Sequence, residues 1–407
     1  MNIAPKHDFA AKLRQETLLP GVLDYVEWQR AVRRAQASGV EIPEMPQIGL
    51  TSINLDLTTA CNYHCNHCID WDKLNTGVNY VDRELFESLQ ELIDEGLKSV
   101  ILIGGGEPTI HRKFEEVVCF LKERDVKIGV VTNGSRGDML LQVASVLTSG
   151  DWIRLSLDSG RNETFIRMHS PKSKAVKLDE ICAWVPKIRL ANPELQVGFS
   201  FIIVWDGAER TEDASVISNI DEIVLAAQLA RENHFSYISF KPFLTRHSDG
   251  SEVMDPTVME NVVNTMSQIV ARVEEAKSLE TENFKVLEST NLRVLMAGNW
   301  RDFTRQPKTC HMMAFRQVLS PLGVFHCPAK RGVENSRVAG GNAFTPLYKL
   351  ETRRSLATML ETFDASHECR EITCLYQPTN WWLEDLINGN ADLAQVPSLP
   401  DRGDYFL

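Results

Sequence analysis

The chain has 407 residues, 43% hydrophobic and 24% charged, enough for a sizeable core in one large domain with additions or in two to three domains. Its 43 basic against 55 acidic residues give a net charge of −12, and no run of Lys and Arg offers a phosphate-binding track, which makes nucleic acid a poor partner. No apolar stretch approaches the ~20 residues of a membrane-spanning helix and the start lacks a secretory signal, so no membrane association and a cytoplasmic location are expected. In that compartment cysteines bind metal or fill cores rather than form disulfides.

The first 50 residues read as a polar helical extension, and "RAVRR" (Arg30 to Arg34) as the solvated face of a helix. From about residue 51 two periodicities alternate. "INLDL" (Ile53 to Leu57) predicts a strand, and "DRELFESLQELIDEGL" a helix with Asp82 as N-cap, Gly96 as stop and Leu85, Leu89, Leu92 and Ile93 on one face. Strands follow at Ser99 to Gly104, Val126 to Gly134, Trp152 to Asp158, Gln196 to Val204 and Tyr237 to Pro242. Helices are expected between them: "KFEEVVCFLKER", Met139 to Leu147, Lys177 to Arg189 and Ile220 to Glu232. Six strands alternating with helices predict a parallel α/β sheet, either a closed or partly closed barrel or an open doubly wound sheet, with chemistry at the C-terminal strand ends. Later come a long amphipathic helix (Val258 to Lys277) and a hairpin, "RQVLSPLGVFHC", turning at Pro321, Leu322 and Gly323.

Punctuation gathers at those strand ends: "CNYHCNHC" after the first, "GGGEPT" after the second, "TNG" after the third and "SLDS" after the fourth. Cys61, Cys65 and Cys68 have the spacing C-x3-C-x2-C. Three thiolates on one loop leave one iron of a [4Fe–4S] cube without a protein ligand, or form a zinc site completed by His64 or His67. The loop Gly104 to Thr109 opens the strand-end backbone to close approach, with Glu107 its one charge. A carboxylate there would repel phosphate, and the P-loop lysine is missing; an acid beside free amides suits a ligand with both an ammonium and a carboxylate.

Together the cysteine loop, the Gly-Gly-Glu-Pro after the second strand and the six βα units resemble the radical S-adenosylmethionine (SAM) superfamily, over residues 51–245. The resemblance implies a partial (β/α)6 TIM-like barrel. It further implies a [4Fe–4S] cluster on Cys61, Cys65 and Cys68 whose fourth iron is chelated by SAM, and reductive cleavage of SAM to a 5′-deoxyadenosyl radical. Gly105, Gly106 and Glu107 would hold the methionine ammonium. Asn133, Ser156, Asp158 and Ser200 match strand-end positions that contact the ribose or carboxylate. His67 takes the place of an aromatic near the adenine, and Lys241 follows the sixth strand near the same pocket. A reductant such as flavodoxin or ferredoxin is the implied partner.

Six cysteines remain. Cys119 and Cys182 fall on apolar helix faces and read as core. Cys310, Cys327, Cys369 and Cys374 make a closed four-ligand set, for zinc or for an auxiliary [4Fe–4S] cluster. His326 is expected to face away from Cys327 by strand alternation, whereas His311 and His367 are not dismissed as ligands. Beside a radical SAM core the set resembles the auxiliary-cluster domains called twitch and SPASM, and it has cysteines for one cluster. The expected organisation is an N-terminal extension (1–50), the barrel (51–245), a helical linker (246–300), a smaller C-terminal β-hairpin/helix auxiliary Fe–S domain (301–375) and a tail (376–407).

A fully thiolate-ligated cluster suits electron transfer. The expected activity is therefore a radical SAM oxidoreductase that dehydrogenates a small molecule such as a sugar, aminocyclitol or nucleoside. A peptide maturase that crosslinks or epimerises, a small-molecule epimerase, and a non-catalytic metal scaffold are the alternatives. The loop Arg161 to Lys172 is expected to line the substrate pocket, with Arg167 and His169 as candidate contacts.

Overall fold

A computed structural model describes residues 8–210, 216–247, 249–259, 261–389 and 392–407. Residues 1–7 of the expected N-terminal extension lie outside the described residues. The chain divides into two compact units that are interleaved in sequence. The first comprises Leu55–Asn79 and Ile101–Trp300; the second comprises His7–Asn54, Tyr80–Val100 and Arg301–Leu407. This differs from the linear domain order expected: the N-terminal helices, the helix over 82–94 and the tail group with the four late cysteines, and residues 246–300 group with the first unit.

The strands are β1 (Ser52–Leu55), β2 (Ser99–Leu102), β3 (Lys127–Thr132), β4 (Trp152–Ser156), β5 (Gln196–Ile203) and β6 (Tyr237–Pro242). A small ribbon, β7 (Thr245–Arg246) with β8 (Glu252–Val253), precedes β9 (Lys285–Glu288). In the first unit β3, β4, β5, β6 and β9 pair in parallel in that order. Leu55 O accepts from Ile103 N at 3.1 Å, continuing the ladder at the start of the unit. Val130, Ile153, Leu155, Val197 and Phe199 are fully or almost fully buried on one sheet face. The alternate residues Arg154, Ser156, Ser200, Ser239 and Lys241 form the opposite face, which is polar. The unit is the expected parallel α/β fold, with β9 as an additional strand.

In the second unit β10 (Arg316–Ser320), β11 (Gly323–Phe325) and β12 (Arg337–Ala339) form an antiparallel meander. The β10–β11 hairpin turns through Pro321 and Leu322 as expected. The helix Leu19–Ser38 buries Val22, Tyr25, Val26, Gln29 and Val32 along one stripe and ends at Gly39 with φ 64°. Each large apolar side chain so buried stabilises the unit by about 1.5–3 kcal/mol. The helix Gln377–Asn388 is tied to it: Arg33 bridges to Glu384 and Arg30 donates to Leu386 O at 2.6 Å. Phe406 and Leu407 are buried, and Lys12 Nζ donates to Phe406 O at 2.6 Å. The tail is thus part of this unit's core. Trp381, by contrast, is 40% exposed.

Candidate functional site

In the first unit the cysteine loop leaves the end of β1 and is fastened through its backbone. His64 N donates to His169 O at 3.1 Å, Asn66 N to Met168 O at 2.9 Å, and Lys172 N to Asn62 O at 3.0 Å. Tyr63 is buried and meets the rings of Phe165 and His169 edge-on. Arg210 Nη1 donates to Cys65 O at 3.1 Å and Lys172 Nζ to Cys61 O at 2.8 Å. The thiols of Cys61, Cys65 and Cys68 are partly buried. Burial pushes all three up in pKa, Cys68 to about 12, and Cys68 and Cys61 push Cys65 further. Without metal they stay protonated at neutral pH, so a metal must displace their protons.

The glycine loop braces this cysteine loop. A Cβ on Gly106 would lie 2.4 Å from Thr58 O and 2.5 Å from Ala60 O, so only glycine lets the two backbones touch. Glu107 N donates to Ala60 O at 2.8 Å. The Glu107 carboxylate is buried and both oxygens are taken: Oε1 accepts from Thr109 N (3.0 Å), Thr109 Oγ1 (2.5 Å) and Thr132 Oγ1 (2.5 Å), and Oε2 from Asn133 N (2.7 Å). Burial still raises its pKa against these donors. Asn133 Nδ2 reaches back to Asn62 Oδ1 at 2.8 Å. Glu107 and Asn133 therefore clasp β2, β3 and the cysteine loop together, and their side chains point to protein partners.

A buried polar network stands behind Cys65. Asp158, at φ 50°, accepts from Ile202 N at 2.7 Å through Oδ1. Its Oδ2 lies 3.0 Å from His67 Nε2 and 3.4 Å from His169 Nε2. His169 Nε2 also faces Leu157 O at 3.0 Å, and its Nδ1 lies 3.3 Å from Cys65 Sγ. Burial, with His67 beside it, holds His169 down at about 4. The ring is neutral, its proton is on Nε2 toward two acceptors, and Nδ1 accepts from the Cys65 thiol. Burial works against the Asp158 carboxylate, but His67 and His169 hold its pKa below the usual range. The expectation for His169 is corrected here: it is buried under the cysteine loop. Arg167, expected beside it in the pocket, is exposed on the helix Asn162–His169. His67 and Asp158 are brought together, each committed to the other.

Ser156, Ser200 and Lys241 do share the polar sheet face. Register aligns Ser156 with Ser200 and Ser239, and Ile202 with Lys241. One rung lower, Arg154, Gly198 and Tyr237 align, and Gly198 is needed because a Cβ there would lie 2.1 Å from the Tyr237 ring. Burial, then the charge of Arg154, push the Lys241 amine well below its ordinary value. Arg154 Nε is buried without a hydrogen-bond partner. Arg154 and Tyr237 were not singled out from the sequence; the period-two alternation that joins Arg154 to Ser156 was the available signal.

In the second unit Cys310, Cys327, Cys369 and Cys374 line one cavity together with Arg316, Tyr376 and Asn380. Cys310 and Cys327 flank the hairpin, Cys369 closes the short helix Ala365–Glu368, and Cys374 N is held by Phe303 O at 3.0 Å. Burial raises the thiols of Cys310, Cys369 and Cys374, Cys310 to about 12. His311 is no ligand: its Nδ1 accepts from Tyr25 at 2.7 Å and its Nε2 faces Glu384 at 2.8 Å. Burial opposes the charge on Glu384, but His311 and Arg33 hold its pKa down to about 2. His367 is 69% exposed. His326, expected to face away, lines the same cavity, because β11 ends at Phe325 and strand alternation stops there. Of the two other cysteines, Cys182 is buried and Cys119 only partly so.

Among the described residues, the one group of His, Cys, Asp and Glu whose ligand atoms all lie within 4.8 Å of one another is His67, Asp158 and His169. Their hydrogen bonds account for that grouping.

A parallel α/β sheet with a fastened three-thiol loop after its first strand defines an enzyme class that holds an iron–sulfur cluster with one iron open to a cosubstrate. Residues 55–207 match the family described as Radical SAM superfamily. An S-adenosylmethionine-dependent nucleotide dehydratase of Psychrobacter lutiphocae is 27% identical over 249 residues, 53% of this chain and 81% of the relative. One from Selenomonas ruminantium is 26% identical over 250 residues, 57% of this chain and 88% of the relative. The crystal structure of Streptococcus suis SuiB bound to S-adenosylmethionine shares the fold at a TM-score of 0.51 and 12% identity, over 79% of this chain and 68% of that one. The matched family implies a [4Fe–4S] cluster and SAM, and three partly buried thiols on one loop fit the cluster. No helix among the described residues is long and apolar enough to cross a membrane.

Proposed function

We propose that this radical SAM enzyme is an oxidoreductase that dehydrogenates a small polar molecule: a sugar, aminocyclitol, nucleoside or nucleotide. The observation that carries the oxidative part is the convergence of Cys310, Cys327, Cys369 and Cys374 on one cavity. Four thiolates leave no iron open to substrate, which suits an auxiliary [4Fe–4S] cluster that accepts an electron. The engagement of His311 with Tyr25 and Glu384 favours an all-cysteine set.

When bound, the cluster on Cys61, Cys65 and Cys68 supplies the electron that splits SAM into methionine and a 5′-deoxyadenosyl radical, and the second cluster takes up the electron the substrate later releases. The chain's own residues do the rest. Gly105 and Gly106, with the Glu107 clasp, fix the cysteine loop and leave strand-end backbone to the methionine moiety. Ser156 and Ser200 offer hydroxyls to the SAM ribose or carboxylate, in a part of the site flanked by His67, Asn133 and Asp158. Arg154 gives the polar face a positive charge that suits an anionic substrate. Lys241, its amine held well below the ordinary value, takes the proton of the hydroxyl borne by the carbon that has lost its hydrogen atom. A hydrogen atom, then one electron and one proton, make the net two-electron oxidation.

The relatives' names support a nucleotide substrate and a second reading, redox-neutral dehydration, in which the four-thiol site has no part in turnover. Anaerobic reconstitution is expected to give about eight irons per chain, four for each cube. About four irons with bound zinc would remove the auxiliary cluster. Incubation with SAM, reductant and deuterated candidate substrates is expected to move deuterium into 5′-deoxyadenosine and give a product short of two hydrogens; a product short of one water would select dehydration.

A further inference from the structure

Arg316 opens β10, is 5% exposed and lines the four-cysteine cavity. Its Nε and Nη1 are buried without a hydrogen-bond partner, and among the described residues no carboxylate pairs with it. Its guanidinium lies 5.6 Å from the Tyr376 ring centre, a weak contact for a full charge. Other buried cations of the same unit are matched: Lys12 by Asp404 at 2.9 Å, and Lys330 by Glu368 at 4.0 Å. Arginine does not shed its proton inside proteins, and a buried charge without a counter-charge is strongly destabilising. Four neutral thiols do not match it. Four thiolates on an iron–sulfur core carry net negative charge and would.

We infer that Arg316 is the counter-charge built into this unit for the cluster held by Cys310, Cys327, Cys369 and Cys374, and that it raises that cluster's reduction potential. The inference rests on the reading of those cysteines as ligands of an auxiliary [4Fe–4S] cluster. Reduction adds one negative charge to the cluster. A fixed cation in a low-dielectric cavity therefore favours the reduced form over the oxidised one. Arg316 is thus a tuning and positioning residue; it donates no ligand.

The test uses the full chain with Cys61, Cys65 and Cys68 replaced by alanine, so that only the second centre can load. Anaerobic reconstitution, metal analysis and a redox titration followed by electron paramagnetic resonance are the readouts. About four irons are expected; zinc or no iron at this stage would sink the cluster reading itself, before Arg316 is altered. Arg316→Gln is then expected to keep iron but to shift the reduced-to-oxidised ratio at fixed potential at least tenfold toward oxidised, a fall of about 59 mV for one electron. Arg316→Lys is expected to stay nearer the parent than the Gln variant. An unchanged midpoint in Arg316→Gln overturns the inference while the cluster stands. If Arg316→Gln takes up no iron, Arg316→Lys decides: loading at the parent potential supports the role of charge, and failure of both variants overturns it.

Discussion

Lys241 stands on the polar face of the first unit's sheet, opposite Ile202 and influenced by the charge of Arg154. Burial and that neighbour lower its pKa, so the neutral amine needed to accept a proton is present from a pH below the ordinary lysine value of 10.5. The sign follows directly: turnover is expected to rise with pH as the amine loses its proton and to level off below 10.5. Lys241→Met is expected to lower kcat by about 100-fold or more and to abolish that rising limb. SAM binding, measured by calorimetry, is expected to hold. An unchanged pH profile in the variant would remove Lys241 as the proton acceptor. Lys241 was legible from its place near the C-terminal end of the sixth strand. The state of its proton was not, because that depends on Arg154, 87 positions away in sequence and brought near only by the strand register.

At the scale of elements, the glycine loop after β2 serves the chain's own backbone. Gly106 lets the loop lie against Thr58 and Ala60, one residue before Cys61. Gly106→Ala is expected to destabilise this contact by about 1–3 kcal/mol, as overpacking does. Reconstituted iron should fall by about half, the first cluster being lost and the second kept. Full iron in that variant would show that the contact is dispensable. The six principal strands were readable within two or three residues, because parallel strands carry apolar runs between turn signals. The strand β9 was not: "KVLE" is four residues with two charges, and parallel pairing with β6 completes it. The helix expected over 177–189 divides into Leu178–Cys182 and Val185–Ala191, with Pro186 at the start of the second piece where its missing N–H is harmless. Gly106, likewise, was read as an opening for a ligand; spacing names the residue type but not the group that approaches it.

At the scale of the molecule, sequence order and spatial order part company. Residues 7–54, 80–100 and 301–407 form one compact unit. Its ties are long in sequence: Lys12 to Phe406, Arg33 to Glu384, Arg353 to Glu95, and Ser99 Oγ to Tyr405 O at 2.8 Å. A linear reading of motifs cannot see this, because contiguous domains are its default. A fragment ending at residue 300 would deprive Leu13, Tyr25 and Val26, all fully buried, of the rest of their unit. Limited proteolysis of that fragment is expected to cut within residues 7–54 at protease levels the full chain resists. Equal resistance would mean that the N-terminal helices hold without the C-terminal residues.

The same interleaving orders the birth of the two cysteine sites. The first unit, with Cys61, Cys65 and Cys68, has been synthesised once Trp300 is made. The second unit waits for residues as late as Phe406, which the ribosome adds roughly 5 to 20 seconds later. The three-thiol site can therefore form on a chain still being translated, while the four-thiol cavity can form only after its last strands and helices have arrived.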